Sequence, residues 1–363
     1  MNKELYLLYV EDDKENRDDL VKLLSDDIIG DYAVKIKGID SFDNAFEEIV
    51  KNHYHIIILD LFKGKPDDGG DQIGLDILKK IQDSCFVPVI FYSGNTKNVQ
   101  ELKSQIVGIA TKGDGGIDEL KKEIERLVRF NLPFVKENLH NYLEQGLKEY
   151  FWDIIHNERN KFTADKNDFS LGYLMLRKFG NSLSKEKISE ILGDKELQKD
   201  KVHPMEFYLY PTDKNVEYES GEILQKGNDV FVILTPSCDF IDRGAGKRTV
   251  GKVLLTKTLL LSVTDEHSKY SANKNNDNKN KLLKLIESRK SDRYFFLPQT
   301  PFIENRLIDF QIKEMVDYDS LKDYTRLTKL DNPYAEGMTA SFIRYYNRIG
   351  YPDIDSDLII SKL

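Results

Sequence analysis

The chain has 363 residues and a formal net charge of −9, with 40% hydrophobic and 32% charged residues. That balance is globular and excludes a disordered or membrane-embedded chain, and the length suits two or three domains. Two cysteines, Cys85 and Cys238, exclude a disulfide scaffold and a multi-cysteine zinc site.

No apolar run approaches the ~20 residues of a membrane span. The N-terminus, MNKELYLLYVEDD, lacks the pattern of a secretory signal. A cytoplasmic protein is therefore the expectation. Residues 1–130 hold most of the acidity, with 18 Lys+Arg against 26 Asp+Glu. The remainder is nearly neutral, so a bulk polyanion-binding surface is not indicated, although a local one stays open.

Five short apolar runs lie at 5–10, 33–36, 56–59, 87–92 and 106–110. Runs of this kind suit strands buried on both faces of a parallel sheet. Between them come stretches with helical spacing. Leu20, Leu23 and Leu24 share a face, as do Phe42, Ala45, Phe46 and Ile49. Leu75, Ile77, Leu78 and Ile81 follow, then Leu120, Ile124 and Leu127. Five strand–helix repeats predict an α/β fold on a doubly wound, five-stranded parallel sheet. In such a sheet ligands bind outside the carboxyl ends of the strands.

Polar residues stand where that rule requires them. Glu11, Asp12 and Asp13 follow the first run, Asp60 ends the third, Ser93 follows the fourth and Lys112 the fifth. Clustered carboxylates are costly to ionise without a cation. A hard divalent ion with oxygen ligands and several waters resolves this, which points to Mg2+. A carboxylate beside Mg2+ can act as nucleophile on a phosphoryl group. A hydroxyl and an ammonium can then bind the new phosphate oxygens. Asp12 or Asp13 also suits the cap of a helix starting near Asn16.

The segments YVEDD at 9–13, IIILDL at 56–61, VIFYSGN at 89–95 and GIATKG at 108–113 resemble the receiver domain of two-component response regulators in order and spacing. The resemblance implies a flavodoxin-like fold with Asp60 as phospho-acceptor. It implies that Glu11 and Asp12 hold Mg2+, with Asp13 a lesser candidate, together with Asp60 and the backbone carbonyl of Phe62. Ser93 would be the switch hydroxyl and Lys112 the phosphate-binding lysine. A histidine kinase or phosphotransfer protein would be the partner, and a homodimer is a further expectation. Three departures stand out. Residues 61–73, LFKGKPDDGGDQI, form an enlarged loop beside the site. Gly113 stands where the family usually has Pro, and Ile109 where it usually has Tyr or Phe.

After Pro133 an amphipathic helix is expected over 134–161, with Leu139, Leu143, Leu147, Tyr150, Phe151, Ile154 and Ile155 on its apolar face. It suits a connector packed on either domain and a dimer helix equally. Residues 169–194 predict two helices, separated at Gly180-Asn181, the second capped by Ser184. From Met205 strands are expected at 206–210, 222–224, 230–235, 252–262, 293–298, 306–314 and 315–318, some separated by turns such as Lys226-Gly227-Asn228. They predict a small barrel or a strongly bent sheet. The Asn/Lys-rich insertion at 271–281 should lie in solvent, followed by a helix carrying Leu282, Leu283, Leu285 and Ile286. A terminal helix runs over 333–349, closed by Gly350. The expected domains are a receiver at 1–130, a helical connector at 131–200 and a β-rich α+β output domain at 201–363.

The segment SGEILQKGNDVFVILTPSCDF at 220–240 resembles, weakly, SH3-like barrels of plasmid-maintenance ribonuclease toxins, whose catalytic residues do not map here. Cys238 reads either as a nucleophile needing a base such as His203 or His267, or as a small buried residue with Asp239 in a turn. Arg243, Lys247, Arg248 and Lys252 make a basic loop suited to phosphate or to solvent. On the last helix, Phe342, Tyr346 and Ile349 share a core face, and Arg344 and Arg348 share another. Tyr345 lies between them. No helix-turn-helix with a basic recognition helix is evident. The expected function is a response regulator whose Mg2+-dependent phosphorylation at Asp60 controls an output module for a protein or nucleic-acid partner. The alternatives are a receiver-regulated nuclease or Cys-dependent hydrolase, and a non-phosphorylated receiver-like adaptor.

Overall fold

The computed structural model describes residues 3–62, 73–129, 131–158, 170–193, 201–213, 215–242, 244, 250–288, 291–348 and 354–363. The chain divides into two compact units, Met1–Lys199 and Asp200–Leu363. Among the described residues no helix is long and apolar enough to cross a membrane.

The first unit is built on strands β1 (Lys3–Val10), β2 (Ile28–Ile29), β3 (Tyr32–Ile39), β4 (Ile56–Leu59), β5 (Val89–Ser93) and β6 (Val107–Thr111). They lie in the order β2-β3-β1-β4-β5-β6. All neighbours run parallel except β2, which pairs antiparallel with β3. The sheet thus has six strands rather than five. The chain reverses between β2 and β3 at Gly30, whose φ of +59 suits glycine.

Helices α1 (Lys14–Leu24), α2 (Phe42–Lys51), α3 (Ile73–Ser84) and α4 (Gly116–Arg129) cover both faces. Alternation along β1 sends Leu5, Leu7 and Tyr9 into a core with Leu20, Leu24, Leu120 and Ile124. Leu8 and Val10 face the other core, with Phe42, Ala45, Ile77 and Ile81. The connection between β5 and β6 departs from the expected repeat. It is a 3-10 segment over Lys97–Leu102, in which only Val99 is buried. One apolar anchor does not make the stripe an α-helix needs.

Helix α5 (Leu132–Lys148) begins after Asn131, which is left-handed at φ 57, and carries Pro133 in its first turn. It continues with π geometry over Glu149–His156. Helices α6 (Leu171–Ser182) and α7 (Lys185–Leu192) follow. The break expected at Gly180-Asn181 is absent, because α6 runs through both residues to Ser182. Ser184 does cap α7, accepting from the Lys187 N–H at 3.3 Å.

The second unit holds β7 (Tyr208–Leu209), β8 (Glu222–Lys226), β9 (Asp229–Ile233), β10 (Lys252–Leu260), β11 (Tyr294–Leu297), β12 (Arg306–Asp317) and β13 (Thr325–Leu330). They form one antiparallel sheet in the order β11-β12-β10-β9-β8-β13-β7. Ile223, Val230 and Val232 face one core, while Leu224, Phe231 and Ile233 face another. Residues 306–314 and 315–318 belong to one strand, apart from Tyr318, which starts a 3-10 turn. The segment 271–281 is largely exposed but helical, spanning the end of α8 (Asp265–Ala272) and the start of α9 (Asn276–Ile286). Asn275 caps α9, accepting from the Asn278 N–H at 2.8 Å. In α10 (Tyr334–Tyr346) the buried tyrosine is Tyr345, whereas Tyr346 is 47% exposed. Phe342 packs against that core, and Ile349 and Gly350 lie outside the described residues. A short helix, α11 (Ser356–Ile360), ends the described chain.

Candidate functional site

Four polar residues collect at the carboxyl ends of β1, β4, β5 and β6, which are neighbours in the sheet. Glu11 follows β1, Asp60 follows β4, Ser93 ends β5 and Lys112 follows β6. The parallel register explains the gathering, since it sets Val10 beside Leu59 and Ser93 beside Thr111. Lys112 donates its backbone N–H to the Ser93 carbonyl at 2.9 Å. Its ammonium donates to Asp60 Oδ2 at 2.7 Å and also bonds Glu11 Oε2. Lys112 reaches both carboxylates with Gly113, at φ +126, directly after it.

Asp60 is held from its other side. Its Oδ1 accepts the Leu61 N–H at 2.6 Å. Gly74, at the start of α3, lies so close that a Cβ there would come within 2.5 Å of the Asp60 carbonyl oxygen. Glu11 is buried at the end of β1. Its Oε2 accepts from the Tyr9 hydroxyl at 2.6 Å, and its Oε1 accepts from the Asp13 N–H at 3.3 Å. Arg17 donates to the Glu11 carbonyl at 2.9 Å and the Asp12 carbonyl at 3.4 Å, tying the acidic turn to α1.

The electrostatics follow from burial. Burial pushes the Glu11 carboxyl above its ordinary range, and the Asp60 charge adds to this; Lys112 and Tyr9 oppose the shift without cancelling it. Burial pulls Lys112 down, but Asp60 and Glu11 outweigh it and hold the ammonium charged. Burial and Glu11 push the Tyr9 phenol far up, so it stays a donor.

Asp13 is the cap of α1, accepting from the Asn16 N–H at 2.9 Å. Asp12 beside it is half-buried, and Phe62 packs its ring in the α2–α3 core. Ile109 is buried with Phe91, Val99 and Val107 as a core residue. Most of the enlarged loop at 61–73 lies outside the described residues. Glu11, Asp12 and Asp60 offer oxygen ligands, the donor type of a hard divalent cation, and in this structure Lys112 supplies the positive charge between Glu11 and Asp60. Among the described residues these three carboxylates do not close into one three-ligand group. Spacing did not single out Tyr9 and Arg17. Tyr9 sits inside an apolar run, where an aromatic reads as core, although its two-residue offset from Glu11 puts both on one face.

Another cluster brings together His53, His55 and Glu137. It is poorly suited to a metal. The Tyr6 N–H donates to His55 Nδ1 at 2.9 Å, so in the neutral ring Nε2 carries the proton and has no lone pair for a cation. That Nε2 instead faces Glu137 Oε2 at 3.2 Å.

In the second unit, among the described residues, the Cys–His arrangement does not assemble. Cys238 is exposed rather than buried, and its thiol lies 3.8 Å from Asp239 Oδ1. Among the described residues no histidine bonds it. His203 caps a 3-10 turn and the His267 ring meets Ser271. Arg344 pairs with Asp292 at 3.0 Å, Arg348 bonds the Tyr345 carbonyl and Lys252 pairs with Asp317. Arg243, Lys247 and Arg248 lie outside the described residues.

No protein-family model matches the chain, and no curated relative does. Among solved structures it is similar to the response regulator TrrA from Thermotoga maritima in complex with Mg2+ and BeF. The identity is 20% over 34% of this chain and 98% of that one, with a TM-score of 0.28. It is similar to a two-component transcriptional regulator AraC from Clostridium phytofermentans, at 24% identity over 35% and 96%, TM-score 0.25. It is also similar to NtrX from Brucella abortus in complex with ATP, at 17% identity over 41% and 35%, TM-score 0.29.

Proposed function

We propose that residues 1–130 act as the receiver domain of a two-component response regulator, with Asp60 as the phospho-acceptor. The observation that carries this reading is Lys112 spanning Asp60 and Glu11 at the carboxyl ends of the sheet. Glu11, Asp12, Asp60 and the Phe62 carbonyl would hold Mg2+, which neutralises charge on a transferring phosphoryl group. The donor would be the phosphohistidine of a histidine kinase or phosphotransfer protein. An Asp60 oxygen forms the new P–O bond as the P–N bond breaks, and the imidazole nitrogen keeps the electron pair. Lys112 then moves its ammonium from the carboxylates to a phosphate oxygen, and the Ser93 hydroxyl donates to another. Only one conformational state satisfies the phosphate, so the face formed by β5 and β6 shifts its population. Residues 131–200 would relay that bias to 201–363, an output module for a protein or nucleic-acid partner. Cytoplasmic action and dimerisation on phosphorylation belong to the same reading.

Incubation with Mg2+ and acetyl phosphate, followed by intact-mass analysis, should add one phosphoryl group to the wild type and none to Asp60→Asn. No adduct, together with no Mg2+ binding by calorimetry, overturns the reading.

A further inference from the structure

We propose that Tyr9 is a positioning residue for the Glu11 carboxylate, acting through its buried hydroxyl; this rests on the receiver reading above. Tyr9 is fully buried in the core beneath α1 and α4. A hydroxyl there needs a partner, and it has one in Glu11 Oε2 at 2.6 Å. An ionised carboxylate only accepts, so the proton belongs to Tyr9.

The division of labour between the two Glu11 oxygens gives this bond its role. Oε2 is shared by Tyr9 and Lys112, while among the described residues Oε1 meets only the long Asp13 N–H bond. A cation entering between the carboxylates would displace the Lys112 ammonium, and Tyr9 is then the side chain that still fixes Oε2. The carboxylate then keeps one orientation and offers Oε1 to a cation. The surroundings keep the hydroxyl in place. The Tyr9 ring lies 6.4 Å from that of Tyr92, whose ring is 5.8 Å from the Lys112 ammonium. A phenylalanine would fill the same volume and supply none of this orientation. Partners that orient a ligating carboxylate typically contribute about 10- to 100-fold in metal affinity.

The test is a calorimetric Mg2+ titration of the full chain as wild type, Tyr9→Phe, Glu11→Asp and the double variant, each with a melting curve in EDTA. Tyr9→Phe is expected to weaken Mg2+ binding about 10- to 100-fold. Glu11→Asp, one methylene too short to meet the hydroxyl, should weaken it too, and the double variant no further than Glu11→Asp alone. Unchanged affinity in Tyr9→Phe overturns the proposal and leaves the receiver reading standing, whether or not the EDTA melting point falls. Absence of Mg2+ binding by the wild type overturns the proposal, and together with no phosphoryl adduct it overturns the receiver reading as well.

Discussion

At the residue scale, Lys112 acts as an internal counter-ion for two buried carboxylates. Its side chain is 18% exposed, against 12% for Asp60 and 2% for Glu11. Removing its charge leaves Glu11 and Asp60 facing each other in a poorly hydrated place. Lys112→Met is therefore expected to destabilise the metal-free chain by roughly 3 kcal/mol, the low end for breaking a buried pair because Lys112 is partly hydrated. Mg2+ should restore most of that loss. Melting curves with and without Mg2+ check this, and equal losses in both would contradict the counter-ion role. These residues were legible in the sequence because each follows an apolar run and a parallel sheet must align run ends. Tyr9 was not, because an aromatic inside such a run looks like packing until its hydroxyl is seen beside Glu11.

At the element scale, the start of α5 docks on the amino ends of the strands. Phe134 stacks on Tyr32 at 4.7 Å and meets the His55 ring at the same distance. His55 is faced by the Tyr6 N–H, His53, Glu137 and Phe134. Burial lowers its pKa, and Glu137 only partly opposes this. A histidine depressed below its unfolded value contributes stability that is present above about 6.5 and lost as pH falls through the folded value. Protonation would also turn Nδ1 into a donor opposite the Tyr6 N–H. Urea unfolding should show stability of the first unit falling between pH 7 and pH 5. His55→Asn, whose amide oxygen can still accept from Tyr6, should flatten that slope. The docking could not be read from sequence, because Phe134, Tyr32 and His55 are far apart in the chain. The same limit hid β13, where TRLTKL offers two apolar residues and its buried Thr328 looks exposed by composition.

At the scale of the whole molecule, each unit contains its own buried ion pair. In the second, Arg326 clasps Glu222 through two bonds of 2.6 and 2.7 Å and also donates to the Val216 carbonyl. The pair ties β8 to its neighbour β13. Arg326→Ala strands a carboxylate that is 1% exposed, and is expected to cost about 3–5 kcal/mol. Hydrogen exchange should show protection lost in β8 and β13 and retained in β1, β4 and β5. Sequence alone determined an α/β unit with five parallel strands, four α-helices that cover them and polar residues at the strand ends, but neither the antiparallel β2 nor the 3-10 connection before β6. Those depend on local periodicity and on the rule that parallel strands place their carboxyl ends together. Only the tertiary structure decided which oxygen each cation and hydroxyl meets, that α6 runs through Gly180-Asn181, and that Tyr345 rather than Tyr346 is buried. Such choices depend on neighbours brought from elsewhere in the chain, and no local spacing encodes them.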